Sequence, residues 1–226
     1  MKSLIEYAEL AWNHSFLIDF ESNQPCPADM FTKEWVERKA PNRWCNKGGW
    51  YWILTNASLD TLRAQTKIRE CQKALDITQA ASFNVGTLPP EILCSIPDTQ
   101  FRVVYNGTHE TVFSRLRNHT ATTDQGPYSI GLNLYPDLVR KHRWSVCIFH
   151  IEMIDAIEVL ANDEKRVFKE LVTKHARSRV AVEMAWRMRY GWPLLNRKGL
   201  EDRKATRADL PESSQEDTAA GEVDNA

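Results

Sequence analysis

The sequence contains no pair of cysteines in a Cys-x-x-Cys arrangement. Its five cysteines, at positions 26, 45, 71, 94 and 147, are odd in number and scattered along 226 residues. This distribution argues against a zinc site of the common closely spaced type. Scattered free thiols are typical of proteins in a reducing cytosol, so a cytoplasmic location is expected.

Long apolar runs are also absent. No stretch approaches the ~18 apolar residues of a membrane-spanning helix, so no membrane partner is expected. The first residues, MKSLIEYAELAWNH, carry Glu6 and Glu9 inside their apolar pattern and do not have the character of a secretory signal. No internal repeat is visible.

The formal net charge is only −1, but the charge is unevenly distributed. Residues 201–226 carry eight acids and three bases, which leaves 26 bases against 22 acids in residues 1–200. The polar, acidic end predicts a disordered tail. The basic body permits a polyanionic partner, although basic clusters such as those at 140–143 and 174–179 are more often solvated helix faces.

The pattern of apolar residues indicates an α+β fold. Apolar and aromatic runs predict three short strands, over 50–54, 101–105 and 143–153. Helical periodicity predicts helices over 2–13, 27–39, 58–81, 163–176 and 179–190. A further helix, with Thr108 as its cap, follows Gly107, and the Thr-, Gly- and Pro-rich residues 120–136 form a long loop of the kind that often carries function.

Four side chains near the predicted strands have functional potential. Tyr51 follows two glycines in GGWYWIL, and Tyr105 precedes the Tyr-Asn-Gly corner. Arg115 and His119 are four residues apart, which places them on one helical face with Cβ atoms about 5–6 Å apart. Taken singly, each has an ordinary explanation: Tyr51 as a strand aromatic in the core, Tyr105 as a cover for the edge of the sheet, and the other two as solvated surface residues.

Glu183 is the only polar residue in VAVEMAW, residues 180–186. A carboxylate among apolar side chains is costly unless it is paired. Arg179 and Arg187, at i−4 and i+4, offer an ion pair, and a divalent metal is the alternative because hard cations prefer carboxylate oxygen.

Taken in order, these stretches resemble the GIY-YIG nuclease family. The resemblance covers residues 49–196: GWY opens one strand, YNG ends the next, an Arg-x-x-x-His step follows, and a lone Glu183 precedes PLLN, which ends at Asn196. The family implies a three-stranded antiparallel sheet flanked by helices. In the resulting hypothesis residues 48–200 form the nuclease domain, residues 1–47 a helical extension, and residues 58–96 a helical insertion.

The resemblance also implies roles for individual residues. Tyr51 is expected to help deprotonate the attacking water, with Tyr105 near the water and the scissile phosphate. Arg115 would bind the phosphate, and His119 would hydrogen-bond into the nucleophile network. Glu183 would be the single protein ligand of Mg²⁺ or Mn²⁺, and Asn196 would position the site.

Several positions depart from the family pattern. Trp50 and Asn106 stand where aliphatic residues are usual, and Thr108 stands where many members carry a lysine. The two tyrosines are 54 residues apart, whereas the two motifs normally lie close together in sequence. An insertion of this kind, with extra N-terminal helices, resembles the restriction-enzyme members more than the compact repair members.

The leading hypothesis is therefore a metal-dependent endonuclease acting on duplex DNA in restriction or defence, with a homodimer expected if its sites are palindromic. Three alternatives stay open: a repair or structure-specific nuclease, a retired fold that binds nucleic acid without cutting it, and a helical interaction domain in which the order of motifs is accidental.

Overall fold

The computed structural model describes residues 2–20, 29–94 and 100–196. The α+β class is confirmed, and the sheet is antiparallel throughout. It has four strands instead of the expected three, in the order β1-β4-β2-β3. The strands are β1 (Phe16–Asp19), β2 (Gly49–Thr55), β3 (Arg102–His109) and β4 (Trp144–His150).

The strand that sequence reasoning missed is β1. It is four residues long, and only Ile18 is buried, so it carries almost no alternation of apolar and polar residues. Its partner β4 supplies the pairing, with Phe16 opposite Ile148 and Asp19 opposite Ser145. Tertiary pairing, not local pattern, makes this segment a strand.

Helices cover both faces of the sheet. Within the described residues they are α1 (Leu4–Asn13), α2 (Lys33–Lys39), α3 (Leu59–Arg63), α4 (Ile77–Thr87), α5 (Val112–Thr120), α6 (Pro136–Lys141), α7 (Asn162–Thr173) and α8 (Ala176–Tyr190), with 3-10 turns at Pro90–Ile92, Leu132–Leu134 and Ile151–Ala156. The predicted end of α8 at Gly191 is confirmed: this residue has φ 96°, and its N–H donates to the carbonyl of Arg187.

All seven residues of β2 are buried because this strand has a packed core on each face. Side chains of a strand alternate between the faces. Tyr51 and Ile53 therefore join the core that includes α3, α4 and α5, whereas Trp50 and Trp52 join the core formed with α1, α7 and α8. The pairing register of β2 and β3 shifts after Ile53. At this point of β3, Val104 lies in the same core as Tyr51, and Val103 lies in the core on the other face of the sheet.

Two predicted boundaries were wrong. β3 continues through Gly107 to His109, because β2 begins at Gly49 and pairs with it along that whole length. Thr108 is accordingly a strand residue whose hydroxyl donates to the carbonyl of Gly49, and the following helix starts later, at Val112.

The predicted helix over 58–81 is also interrupted. Only its ends are helical, as α3 and the start of α4. The apolar Ile68 between them is 66% exposed, so the periodicity there does not reflect a buried face. Leu75 instead donates a backbone hydrogen bond to Ser129, which ties this segment to the 120–136 loop.

No helix among the described residues is both long and apolar enough to cross a bilayer. The predicted acidic tail, 201–226, lies outside the described residues.

Candidate active site

Four of the predicted site residues lie together where β2, β3 and α5 meet. The ring centroids of Tyr51 and Tyr105 are 6.2 Å apart, and the His119 ring lies 5.4 Å from the first and 4.8 Å from the second. Arg115, one turn before His119 on α5, lies close enough to both phenols for its charge to lower the pKa of each. Tyr51 and His119 are fully buried, whereas Tyr105 and Arg115 are partly exposed and form the solvent side of the cluster.

Gly107 makes room for this cluster. It is the cross-strand partner of Tyr51. A Cβ atom at this position would lie 2.6 Å from Cζ of Tyr51, closer still to the hydroxyl oxygen, and 3.2 Å from Cε1 of Tyr105. The glycine of the Tyr-Asn-Gly sequence is therefore required by the phenols that pack over it.

The tautomer of His119 follows from its two hydrogen bonds. The backbone N–H of Ile130 donates to Nδ1 at 3.0 Å, so Nδ1 carries a lone pair. Burial, and then the neighbouring Arg115, hold the pKa of His119 well below its ordinary value, so the ring is neutral and its proton is on Nε2. This Nε2–H donates to the hydroxyl oxygen of Tyr51 at 2.8 Å.

The hydroxyl oxygen of Tyr51 thus accepts a hydrogen bond from His119, and the guanidinium of Arg115 lies close enough to favour the phenolate. Its own proton must point elsewhere. Burial and the adjacent Tyr105 raise the pKa of Tyr51 well above its ordinary value, and Arg115 opposes them. At neutral pH Tyr51 is therefore a protonated phenol, beside one hydrogen-bond donor and one cation that would stabilise its phenolate.

Glu183 lies on α8, next to the opposite face of β3. Its carboxylate forms an ion pair with Arg187, one turn later, whose guanidinium is buried. The Nε of Arg187 also donates to the side-chain oxygen of Asn106 at 2.8 Å. Both Glu183 and Arg187 are close enough to influence the pKa of Tyr105 electrostatically, Glu183 upwards and Arg187 downwards.

Of the two arginines that the sequence offered as partners, Arg187 forms the ion pair. Arg179 is turned into the interface with α7, where its Nη1 donates to the carbonyl of Val172 at 2.8 Å. The expected ion pair at i+4 is therefore present, and the carboxylate of Glu183 is close enough to raise the pKa of Tyr51 and of Tyr105.

Asn196 binds the backbone of β3. Its side-chain oxygen accepts from the N–H of Asn106 at 2.9 Å, and its side-chain nitrogen donates to the carbonyl of the same residue at 2.8 Å. The amide of Asn196 thus imitates a paired strand at the edge of the sheet. The polar Asn106 is satisfied by these bonds to its backbone and by Arg187 on its side chain, which explains how the sheet accepts it.

A divalent cation is compatible with Glu183 in donor type. A carboxylate is a hard oxygen ligand, and this one keeps 12% side-chain exposure. Arg187, its ion-pair partner, competes with any metal for the carboxylate. A single carboxylate leaves most metal coordination positions for water and substrate, which suits Mg²⁺.

Two contributors to this arrangement were not identified from sequence as site residues. Gly107 was noted only as a strand terminator, although its place after Tyr105 is the visible signal. The backbone N–H of Ile130 lies in the 120–136 loop, and the identity of the Ile130 side chain does not predict the bond to His119.

Family models, curated proteins and solved structures were compared with the chain, and none of them matches.

Proposed function

We propose that this chain is a metal-dependent endonuclease of the GIY-YIG type, which hydrolyses phosphodiester bonds in duplex DNA. The observation that supports this most is the contact of one arginine with two phenols, one of which is hydrogen-bonded to a neutral histidine. Phosphodiester hydrolysis needs a cation on the phosphoryl oxygens and a group that takes the proton of the attacking water. The cluster contains both.

Arg115 is the phosphate-binding group in this proposal. Its planar guanidinium suits two phosphate oxygens at once, and it lies on the solvent side of the cluster. Engagement with phosphate would draw it partly away from Tyr51 and Tyr105. Among the described residues Arg115 forms no ion pair with a carboxylate, so none has to be broken before phosphate binds.

Tyr51 and His119 act on the nucleophile. The Nε2–H of His119 donates to the hydroxyl oxygen of Tyr51, so the phenolic proton points away from the imidazole. In this proposal it points towards a bound water or a phosphate oxygen. Because Nε2 is already protonated, His119 cannot take the proton of Tyr51 through this bond. His119 is accordingly a positioning residue. Tyr51 acts as the base after its phenolic proton has left to solvent, a loss that Arg115 and the hydrogen bond from His119 favour, and the phenolate then accepts the proton of the attacking water.

The metal would be held by Glu183. When bound, Mg²⁺ or Mn²⁺ supplies positive charge that stabilises the phosphoryl oxygens and lowers the pKa of a coordinated water. Asn196 supports this region indirectly, through the backbone of Asn106 and thus Arg187, the partner of Glu183.

A duplex DNA substrate and a role in restriction or defence are parts of the same proposal. Readout of sequence would come from outside the cluster: from the 58–96 segment, the 120–142 region or the N-terminal helices. A homodimer would match a palindromic site by two-fold symmetry. A preference for flaps or bubbles over a defined sequence would instead indicate a repair nuclease.

One observation favours a second candidate, a retired module that binds nucleic acid without cutting it. The carboxylate of Glu183 already has a cationic partner, Arg187, which is itself fixed by Asn106. If this pair does not yield to a divalent metal, binding persists without hydrolysis. Such a module binds DNA equally well with and without Mg²⁺.

The proposal is tested by incubating mixed DNA substrates with the full-length chain and Mg²⁺ or Mn²⁺, followed by sequencing of the ends. Arg115→Ala is compared with Arg117→Ala, since Arg117 is exposed on the same helix. We expect the first to lower the cleavage rate by roughly 10²–10³, by analogy with loss of one transition-state donor, and the second to affect binding only. Equal rates for the two variants would remove Arg115 from the site.

A further inference from the structure

A second cluster of potential ligands lies away from Glu183, where the segment leading into β2 meets the end of β4. It consists of Cys45, His150 and Glu152, whose ligand atoms all lie within 4.8 Å of one another. Cys45 and His150 are buried, and Glu152 is exposed. Cys45 lies more than a hundred positions before His150 and Glu152 in the sequence, and the pairing of Gly49 with His150 brings them together.

The imidazole of His150 is oriented as a ligand would be. Its Nε2 lies 3.1 Å from the carbonyl oxygen of Arg43, and only a protonated nitrogen bonds to a carbonyl. Burial lowers the pKa of His150, which favours the neutral ring with a lone pair on Nδ1. That Nδ1 is buried and has no hydrogen-bond partner. A buried nitrogen without a partner is costly, so its lone pair points to a ligand that is absent from the protein atoms.

We propose that Cys45, His150 and Glu152 bind one Zn²⁺ ion. Thiolate sulfur, imidazole nitrogen and carboxylate oxygen are the three ligand types that zinc takes in proteins. The carbonyl of Arg43 on the far side of the His150 ring supplies the outer hydrogen bond that orients metal-binding histidines. Three protein ligands leave a fourth position for water.

Binding requires two local changes. Burial raises the pKa of Cys45 to about 11, so the thiol is protonated at neutral pH and releases its proton to solvent when zinc replaces it. Glu152 now pairs with Lys47 at 2.8 Å, but this pair is exposed and contributes little. Neither change disturbs the packed core.

The ion would stabilise a segment that supports the candidate active site. The carbonyl of Lys47, two residues after Cys45, accepts from the N–H of Val112, the first residue of α5. Zinc would therefore fix the segment on which α5 begins, and α5 carries Arg115 and His119. Because these donors include sulfur and nitrogen, the site differs in metal preference from the single carboxylate of Glu183.

The test uses the metal-free full-length chain, titrated with Zn²⁺ in competition with a chromophoric chelator, and with Co²⁺ as an optical probe of thiolate coordination. We expect one ion per chain and a thiolate-to-cobalt charge-transfer band. Glu152→Gln, at an exposed position, should weaken zinc binding by more than about tenfold. Cys45→Ser should abolish the cobalt band, whereas Cys147→Ser on β4 should leave both readouts unchanged.

Two results would overturn the zinc site: a cobalt band that persists in Cys45→Ser, or zinc affinity that is unchanged in both ligand variants. Circular dichroism of each variant establishes that it is folded. Glu183→Gln should bind zinc as the wild type does, so the outcome is independent of nuclease activity.

Discussion

Substituting Gly107 by alanine perturbs the centre of the candidate site without replacing any of its functional side chains. The new Cβ would lie 2.6 Å from Cζ of Tyr51. Carbon atoms in contact prefer about 3.5–4.0 Å, so the phenol must move by about 1 Å. That displacement breaks its 2.8 Å bond to His119 and leaves a buried N–H without an acceptor. Overpacking and the lost bond together should cost about 2–4 kcal/mol of unfolding free energy.

Thermal unfolding measures this effect without assuming any activity. For a chain of this size we expect Gly107→Ala to lower Tm by roughly 5–15 °C, and cleavage to fall by about 10²-fold if Tyr51 is the base. Gly86→Ala is the matched control: it lies in α4 with nothing within 4 Å of the added Cβ, and should be neutral or stabilising by up to about 1 kcal/mol. Equal Tm values for wild type and Gly107→Ala would refute the steric argument.

Three further predictions concern the neighbours of this cluster. Because the folded state holds the pKa of His119 below the unfolded value of about 6.5, the unfolded chain binds more protons as pH falls below that value. Stability should therefore decline there, and His119→Gln should flatten the decline in denaturation curves measured across pH. Asn196→Asp removes the donor to the carbonyl of Asn106 and should lower the free energy of unfolding, measured by urea denaturation, by about 1–3 kcal/mol. An unchanged urea midpoint would show that the amide does not stabilise the sheet edge. Arg187→Met leaves the carboxylate of Glu183 without its cation, so added Mg²⁺ should raise Tm more in this variant than in the wild type; an equal response would argue against a metal at Glu183.

Most of what positions the site could be predicted from local pattern. Tyr51 and Tyr105 stand in strongly apolar strands, and the four-residue step from Arg115 to His119 fixes their shared face once a helix is assumed. The ion pair of Glu183 follows from the same helical spacing. These inferences succeed because helix and strand periodicity carry over directly into geometry.

The parts that sequence did not reveal depend on long-range pairing. β1 has only one buried residue and is a strand because β4 lies beside it. The N–H of Ile130, in a loop, donates to His119. Because almost every residue has a backbone N–H, the residue type does not reveal such a donor. β3 extends to His109 because β2 begins at Gly49 and pairs with it there. The Tyr-Asn-Gly sequence does not predict where β2 begins.

The most direct test of the central claim is the single-turnover rate of DNA cleavage, with Mg²⁺, by Tyr51→Phe. This variant removes one hydroxyl, while the control Tyr128→Phe removes one that is 67% exposed on the surface. The account predicts a loss of at least about 10²-fold for Tyr51→Phe, within the usual contribution of a general base, and wild-type cleavage by the control. Cleavage by Tyr51→Phe at the wild-type rate would contradict it.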